Sequence, residues 1–333
     1  MKPQLKALAV GAAAVLALSA CSTGGDGAGG DDAAYPNPNK AITLLIPYGA
    51  GGGTDLAGRL LASGLEENLG AKVVIENNPA GSGIQAITQL SQAAPDGYTL
   101  AFQPLPALNT MYLDEERGAP FTADDFVPIA NHDTDVVAFA VGKDSPYQSM
   151  EELIAAAKAD PGQVTAGSNG VLAAGHLGLL QLEKSADIQL TWSTFDDGGQ
   201  LRTSVLGGSV DLEVQPVSEF TAAASDGSLR VLAVMSEERL DGFPDVPTLV
   251  ELGYPDGIMA TNRILMGPAG LPQSVIDTLA GAIEKSEQDA DYQAEAQKRK
   301  LALNYLGPSD VADLFESFDT TIAPLVTAFR ANG

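Results

Sequence analysis

Apolar positions along this chain fall into short β-branched runs separated by longer stretches at helical spacing. The clearest unit is Ile42–Asp55, I-T-L-L-I-P-Y-G-A-G-G-G-T-D. The apolar run stops at Pro47, glycines follow at 49, 51, 52 and 53, and Leu56–Leu69 then has helical periodicity. This predicts strand, loop, helix. Similar reasoning predicts strands over 72–77, 98–103, 126–131, 136–141, 164–167, 188–192, 210–214, 229–235 and 258–266. Helices are expected over 84–93 with Ser82 as a cap, over 150–159 behind a Ser149-x-x-Glu152 capping box, after a small-residue loop over 168–174 through Leu182, and after the loop 195–199 to Leu206. A long amphipathic stretch follows Pro272, and 309–330 is helical, kinked or divided at Pro324. Alternating strands and helices predict an α/β fold.

The glycine loop has two readings. Glycines allow φ > 0 and close approach of backbone to a ligand, and a helix start offers free N–H groups, so the turn would hold a small anion. Alternatively it is only a tight connection. No lysine stands where a phosphate-binding P-loop needs it, and Gly49-x-Gly51-x-x-Thr54 lacks the third glycine of a dinucleotide fingerprint.

Lys2 and Lys6 precede an apolar run from Ala7 to Leu18, then Leu18-Ser19-Ala20-Cys21. A basic start and a short apolar run predict a secretory signal over 1–20, too short to span a bilayer as a mature helix. Small residues before a cysteine resemble the lipobox of bacterial lipoproteins, which implies a diacylglycerol on Cys21. Cys21 is the only cysteine, so no internal disulfide and no cysteine metal site can form. Residues 21–39 are rich in Gly, Asp and Ala and read as a flexible tether. The expected location is extracytoplasmic, held to the cell membrane through the lipid alone. No cofactor is expected there, cytosolic NAD and ATP being out of reach.

Charge sharpens this picture. Asp and Glu number 43 against 18 Lys and Arg, a formal net charge of −25. That excludes a nucleic-acid binder, which needs a basic face, and keeps copies apart as monomers. An anion site in such a chain must work through local dipoles and a nearby arginine, since distant charge is screened beyond ~8 Å.

Several segments, taken in order, resemble the substrate-binding proteins of tripartite tricarboxylate transporters, the Bug family. They are the Tyr35–Asp55 opening, V-I-E-N-N-P-A-G-S-G (74–83), A-P-D-G-Y-T-L (94–100), L-G-G-S-V-D-L (206–212), R-V-L-A-V-M-S (230–236), F-P-D-V-P-T-L (243–249) and G-P-A-G-L-P (267–272). The resemblance implies a two-lobed periplasmic-binding-protein-like (type II) fold with a hinge and an interlobe ligand cleft. Lobe one would comprise 40–131 plus 258–333, and lobe two 132–257. It implies a small carboxylate of the di- or tricarboxylate class as ligand, and one large and one small membrane subunit as partners.

Carried over to this sequence, the ligand loop is Tyr48, Ala50, Gly51, Gly52 and Thr54, with Asp55 a helix-start carboxylate. Tyr48 lines the pocket or packs the loop. A second wall is Gln103–Pro106. A third includes Ser168, Asn169, Ala173 and Ala174, the two alanines standing where relatives often carry serines. The fourth is Phe195, Asp196 and Gly198, where many relatives carry Tyr-Lys-Gly-Gly; Asp196 reads a cationic or hydroxylated ligand end, or faces solvent. Arg263 stands where relatives often carry an aromatic, and either forks onto a carboxylate or pairs with an acid.

Only two histidines exist, His132 and His176. Ser168 with His176 lacks a nucleophile elbow, and the acids show no metal-ligand spacing, so neither catalysis nor a metal is expected. His176 reads as a packed or capping residue. Other readings left open are a receptor for an amino acid or aromatic acid, a sensory binding protein, and a lipid-anchored hydrolase.

Overall fold

The computed structural model describes residues 35–195 and 198–332. The signal, Cys21 and the tether as far as 34 lie outside the described residues, as do Asp196 and Asp197. The chain runs β1 (Ile42–Ile46), α1 (Gly53–Leu69), β2 (Val73–Asn77), α2 (Ile84–Ser91), β3 (Thr99–Leu105), α3 (Ala107–Leu113) and β4 (Phe126–Gly142). It continues with α4 (Met150–Ala159), β5 (Thr165–Asn169), α5 (Ala174–Ala186), β6 (Thr191–Phe195), α6 (Gly198–Leu206), β7 (Leu212–Pro216), α7 (Thr221–Ser225) and β8 (Leu229–Val234). The last elements are β9 (Ala260–Pro268), α8 (Gln273–Gln288), α9 (Ala290–Lys298), β10 (Leu303–Leu306) and α10 (Pro308–Asn332).

The strand order is β2-β1-β3-β9-β4-β7-β5-β6, with β8 and β10 also on β4. β1 is parallel to β2 and β3, whereas β9 runs antiparallel to both β3 and β4. The first half of β4 pairs with β9, and its second half pairs with β7 and β8. One strand thus belongs to two half-sheets, each with its own helices, and two lobes meet along it. The first half-sheet packs Leu44, Ile46 and Phe102 against Leu61, Leu65, Leu279 and Ile283 of α1 and α8. Phe315, Phe318 and Ile322 of α10 join a core that also holds Leu105 and Met111 on one side and Val137, Leu177 and Leu212 on the other.

Three expectations change. Strands 126–131 and 136–141 are one strand, β4. The intervening N-H-D-T-D reads as a polar break, yet its side chains find buried partners and two bulges absorb the register. Ser82 does not cap α2; Gly83 is the N-cap and has no side-chain cap. A Cβ at Gly83 would stand 2.8 Å from Pro47, so only glycine lets this turn press on the first loop. Pro324 does not divide α10; both it and Thr320, whose carbonyl loses its helical donor there, are exposed residues. The amphipathic stretch after Pro272 instead breaks at Asp289, whose carboxylate accepts the Asp291 and Tyr292 N–H groups at 2.9 Å. No described helix is long and apolar enough to cross a membrane.

Candidate functional site

The first wall is the turn from β1 into α1. Gly51 has φ +87°, which glycine takes without strain. Its N–H donates to Asp55 Oδ2 at 2.8 Å, so this amide is spent inside the loop rather than offered to a ligand. Asp55 is 1% exposed and also accepts from Arg59 (2.9 and 3.0 Å) and Asn77 (2.9 Å). Burial works to raise the Asp55 carboxyl, but these hydrogen bonds outweigh it and hold it below the usual range. Asp55 is therefore a lock on the loop. The N-cap, Gly52, has no side-chain cap, so the amides of Gly53 and Thr54 lack both a capping acceptor and an intrahelical one. Ala50 and Gly52 are exposed, Thr54 is buried and Tyr48 half-buried. Burial pushes the Tyr48 phenol up, while a hydrogen bond from Gln103 and the charges of Arg263 and Arg117 pull against it.

Arg263 lies opposite Asp133 across the β4–β9 ladder and opposite Pro104 across β3–β9. Its Nη1 donates to Asp133 Oδ1. Its Nε is buried with no partner among the described residues, and its Nη2 lies 3.7 Å from where a Cβ on Gly53 would stand. Burial opposes charge on both Arg263 and Asp133, but their attraction wins, raising the guanidinium and lowering the carboxyl. Arg263 thus both pairs with an acid and keeps one donor edge free. Gln103 is fully buried, with Nε2 on the Pro104 carbonyl (3.0 Å) and Oε1 without a partner among the described residues.

The second wall is the turn from β5 into α5. Leu172 has φ +57°, and its N–H donates to His176 Nδ1 at 2.9 Å. The N-cap, Ala173, has no side-chain cap, and Ala174 opens the helix. Ser168 is 1% exposed and its Oγ has no partner among the described residues. Asn169, half-buried, ends β5. A Cβ at Gly175 would sit 2.3 Å from the Val214 carbonyl, so this glycine lets α5 ride directly on β7. Burial drives His176 down to about 4, leaving a neutral imidazole between Trp192 (4.4 Å) and Phe329 (5.2 Å). The Phe195 carbonyl accepts from Gly170 N–H (3.0 Å), and Gly198 opens α6 with room for no side chain before Gln215 Oε1. Asp196 lies outside the described residues.

The walls meet where Arg117 Nη2 donates to the Val171 carbonyl at 3.0 Å; apart from them, the Ser218 N–H and hydroxyl donate to Asp135 on β4. A cavity of about 800 Å³ opens beside Arg263 between Asp133, Asp135, Ser218 and Phe243; it touches Arg263 but not the glycine loop. Sequence reasoning missed Asp133, Asp135, Arg117, Gln215 and Ser218. Only the alternation N-H-D-T-D, facing T-N-R on β9, could have signalled the two aspartates. Ser168 makes no hydrogen bond to His176, so the pair forms no nucleophile–base arrangement. Among the described residues no group of three or more His, Cys, Asp and Glu is disposed to hold a metal.

Residues 57–315 match the family described as tripartite tricarboxylate transporter family receptor. The chain is 31% identical to the UPF0065 protein in the gbd 5' region of Cupriavidus necator, over 83% of each chain. It superposes on a TctC solute-binding protein from Polaromonas with TM-score 0.79 at 28% identity, covering 87% of this chain and 99% of that one. MatC from Rhodopseudomonas palustris, solved with bound malate, shares the fold with TM-score 0.71 at 23% identity, covering 87% of this chain and all of that one.

Proposed function

The chain belongs to the tripartite tricarboxylate transporter receptor family, and we propose that it captures a small carboxylate between the two walls and delivers it to the large and small membrane subunits of such a transporter. Members of the family are extracytoplasmic solute-binding receptors. One observation carries the ligand class. Two helix starts, α1 in one lobe and α5 in the other, both lack a side-chain cap and both have their preceding loop locked from within. Uncapped N–H groups attract an anion through direct bonds and the helix dipole. Arg263 adds a fork that suits a carboxylate, about 1.5–3 kcal/mol for a charge-assisted bond. The malate held by MatC is of this class.

Tyr48, Ala50, Gly52, Thr54, Gln103 and Arg263 would line the cleft from lobe one, comprising 40–131 and 258–333. Ser168, Asn169, Ala173, Ala174, Phe195, Asp196 and Gly198 would line it from lobe two, 132–257. β4 and β9 would carry the hinge, and ligand contacts to both lobes would bias closure. Cys21 would anchor the receptor through its diacylglycerol.

The buried Oε1 atoms of Gln103 and Gln215, without a partner among the described residues, favour a second feature. Both are acceptors, so a ligand bearing a hydroxyl or ammonium group beside its carboxylate, a hydroxy acid or amino acid, would satisfy them. Calorimetric titration of ligand-stripped protein with malate, adipate, citrate, glutamate and benzoate tests the reading. Micromolar binding to one class supports it and names the class; silence from folded protein across the panel overturns it. Mass spectrometry of membrane-derived protein tests the lipid at Cys21.

A further inference from the structure

Behind Arg263 runs a line of buried hydrogen bonds that ligand contact does not explain. The Tyr292 hydroxyl on α9 lies 2.8 Å from His132 Nε2. His132 Nδ1 lies 2.9 Å from Asp133 Oδ2, and Asp133 Oδ1 accepts from Arg263 Nη1. His132 is fully buried, Asp133 1% and Tyr292 8% exposed. The imidazole is also held edge-on by Phe102 (5.7 Å) and Tyr292 (6.0 Å). A carboxylate only accepts, so His132 Nδ1 donates to Asp133. Both carboxylate oxygens and both ring nitrogens are thereby engaged, and the line ties β4, β9 and α9 to one guanidinium.

The choice of nitrogen matters. An arginine has two forks, one made by Nη1 with Nη2 and one by Nε with Nη2. Asp133 takes Nη1. The Nε/Nη2 side remains, with Nε buried and unpartnered and Nη2 beside Gly53 at the start of α1. A long side chain left to itself would sample many rotamers; here Asp133 holds Nη1, and His132 and Tyr292 in turn hold Asp133.

We propose that Asp133, His132 and Tyr292 are positioning residues that hold Arg263 with its Nε/Nη2 edge turned to the α1 start, so that the receptor reads a carboxylate side-on. The proposal rests on the carboxylate reading of the cleft. It adds that specificity is set in part from residues no ligand touches, one of them 160 positions from its histidine partner.

The test combines isotope-labelled arginine NMR of the full chain with titration by malate and adipate. Arg263→Gln identifies the Arg263 Nε–H signal by its loss. The wild-type signal is expected to be sharp and slow to exchange, and broadened in Asp133→Asn and in Tyr292→Phe. Tyr292→Phe removes a single hydroxyl and keeps the core filled, so it remains folded if Asp133→Asn does not. Affinity is expected to fall about tenfold in Asp133→Asn and about threefold in Tyr292→Phe, and neither change is expected to matter once Arg263 is glutamine. An Arg263 signal indifferent to both variants, or equal affinity losses with and without Arg263, overturns the relay. Wild type that binds none of malate, adipate, citrate, glutamate and benzoate overturns the carboxylate reading, whereas binding unaffected by Arg263→Gln overturns the ligand role of Arg263 and of the relay behind it. The NMR signal then still reports whether the three residues hold the guanidinium, which separates the two failures.

Discussion

The turns into α1 and α5 solve one problem with different chemistry. Each begins with a positive-φ residue, Gly51 at +87° and Leu172 at +57°. Each continues through an extended N-cap of nearly identical geometry, Gly52 at φ −76°, ψ 170° and Ala173 at φ −76°, ψ 168°. In each, a side chain four positions on takes the loop N–H: Asp55 from Gly51 at 2.8 Å, His176 from Leu172 at 2.9 Å. The N-cap carries no polar side chain in either. Fixing the loop through the third helical residue, rather than through the cap, leaves the first-turn amides open. The difference lies in charge. Asp55 is an ionised carboxylate with Arg59, and Arg263 stands nearby; His176 is neutral and its own neighbours are aromatic. One wall supplies fixed charge and the other supplies dipoles alone.

Filling the caps breaks the comparison most severely. Gly52→Asp and Ala173→Asp would each place a carboxylate on the amides proposed for the ligand. Both positions have φ suited to any residue, and a Cβ at Gly52 meets nothing closer than 3.6 Å. A good N-cap stabilises by about 0.5–2 kcal/mol, so each variant is expected to melt higher than wild type. Each is expected to lose ligand affinity by about a hundredfold or more, since the ligand must displace an internal anion. Thermal melts with calorimetry check this. A stabilised variant of normal affinity at either turn removes that turn from the site.

The locks come next. His176→Asn keeps an acceptor where Nδ1 stood but gives up ring packing, whereas His176→Phe keeps the packing and gives up the acceptor. Affinity is expected to survive the first and fall about tenfold in the second, with stability falling more in the first. The opposite pattern would make His176 a core residue only. At the other turn, Asp55→Asn preserves an acceptor for Gly51, and its expected loss is smaller, about threefold.

Acid separates the two locks. His176 has its pKa lowered by burial to about 4 against an ordinary 6.5, so the folded protein refuses a proton that the unfolded chain accepts. The stability it contributes is complete above pH 6.5 and lost as pH falls towards 4. Asp55 is held below 3.8, so its contribution is lost only under more acid conditions. Chemical denaturation between pH 7 and 4 is expected to show a falling stability that flattens in His176→Phe and persists in Asp55→Asn. Equal slopes in wild type and His176→Phe would show that the imidazole titrates normally.

How much of this was legible in the sequence differs between the same two regions. The β1–α1 turn announces itself because its glycines and apolar flanks are contiguous. Asp55 was visible as a helix-start carboxylate, but its bond back to Gly51 depends on a backbone path that glycine does not specify. The β5–α5 turn has no such signature; Leu172 gives no hint of positive φ, and His176, read as packed or capping, is packed and holds the loop before the cap rather than capping the helix. The centre of the molecule was the least legible. N-H-D-T-D resembles a loop by local pattern, yet His132 and Asp133 are satisfied by Tyr292 and Arg263, far along the chain. Buried polar residues with distant partners leave no periodic trace, which is why a single long strand read as two.

The smallest expected effect isolates what charge at the first wall contributes. Arg59 is half-exposed and pairs with a nearly buried Asp55 four residues earlier. Exposure and solvent screening weaken such pairs, and Asp55 keeps its bonds to Gly51 and Asn77 without it. Arg59→Gln is therefore expected to leave stability nearly unchanged in thermal melts and to leave the loop in place. If the fixed charge read by the ligand is Arg263, affinity is expected to change less than about twofold, and less still at high salt. A loss comparable to that of Arg263→Gln would mean that the ligand senses the summed charge of the wall rather than one oriented edge, and the two turns would then differ in their total field rather than in the geometry of a single donor.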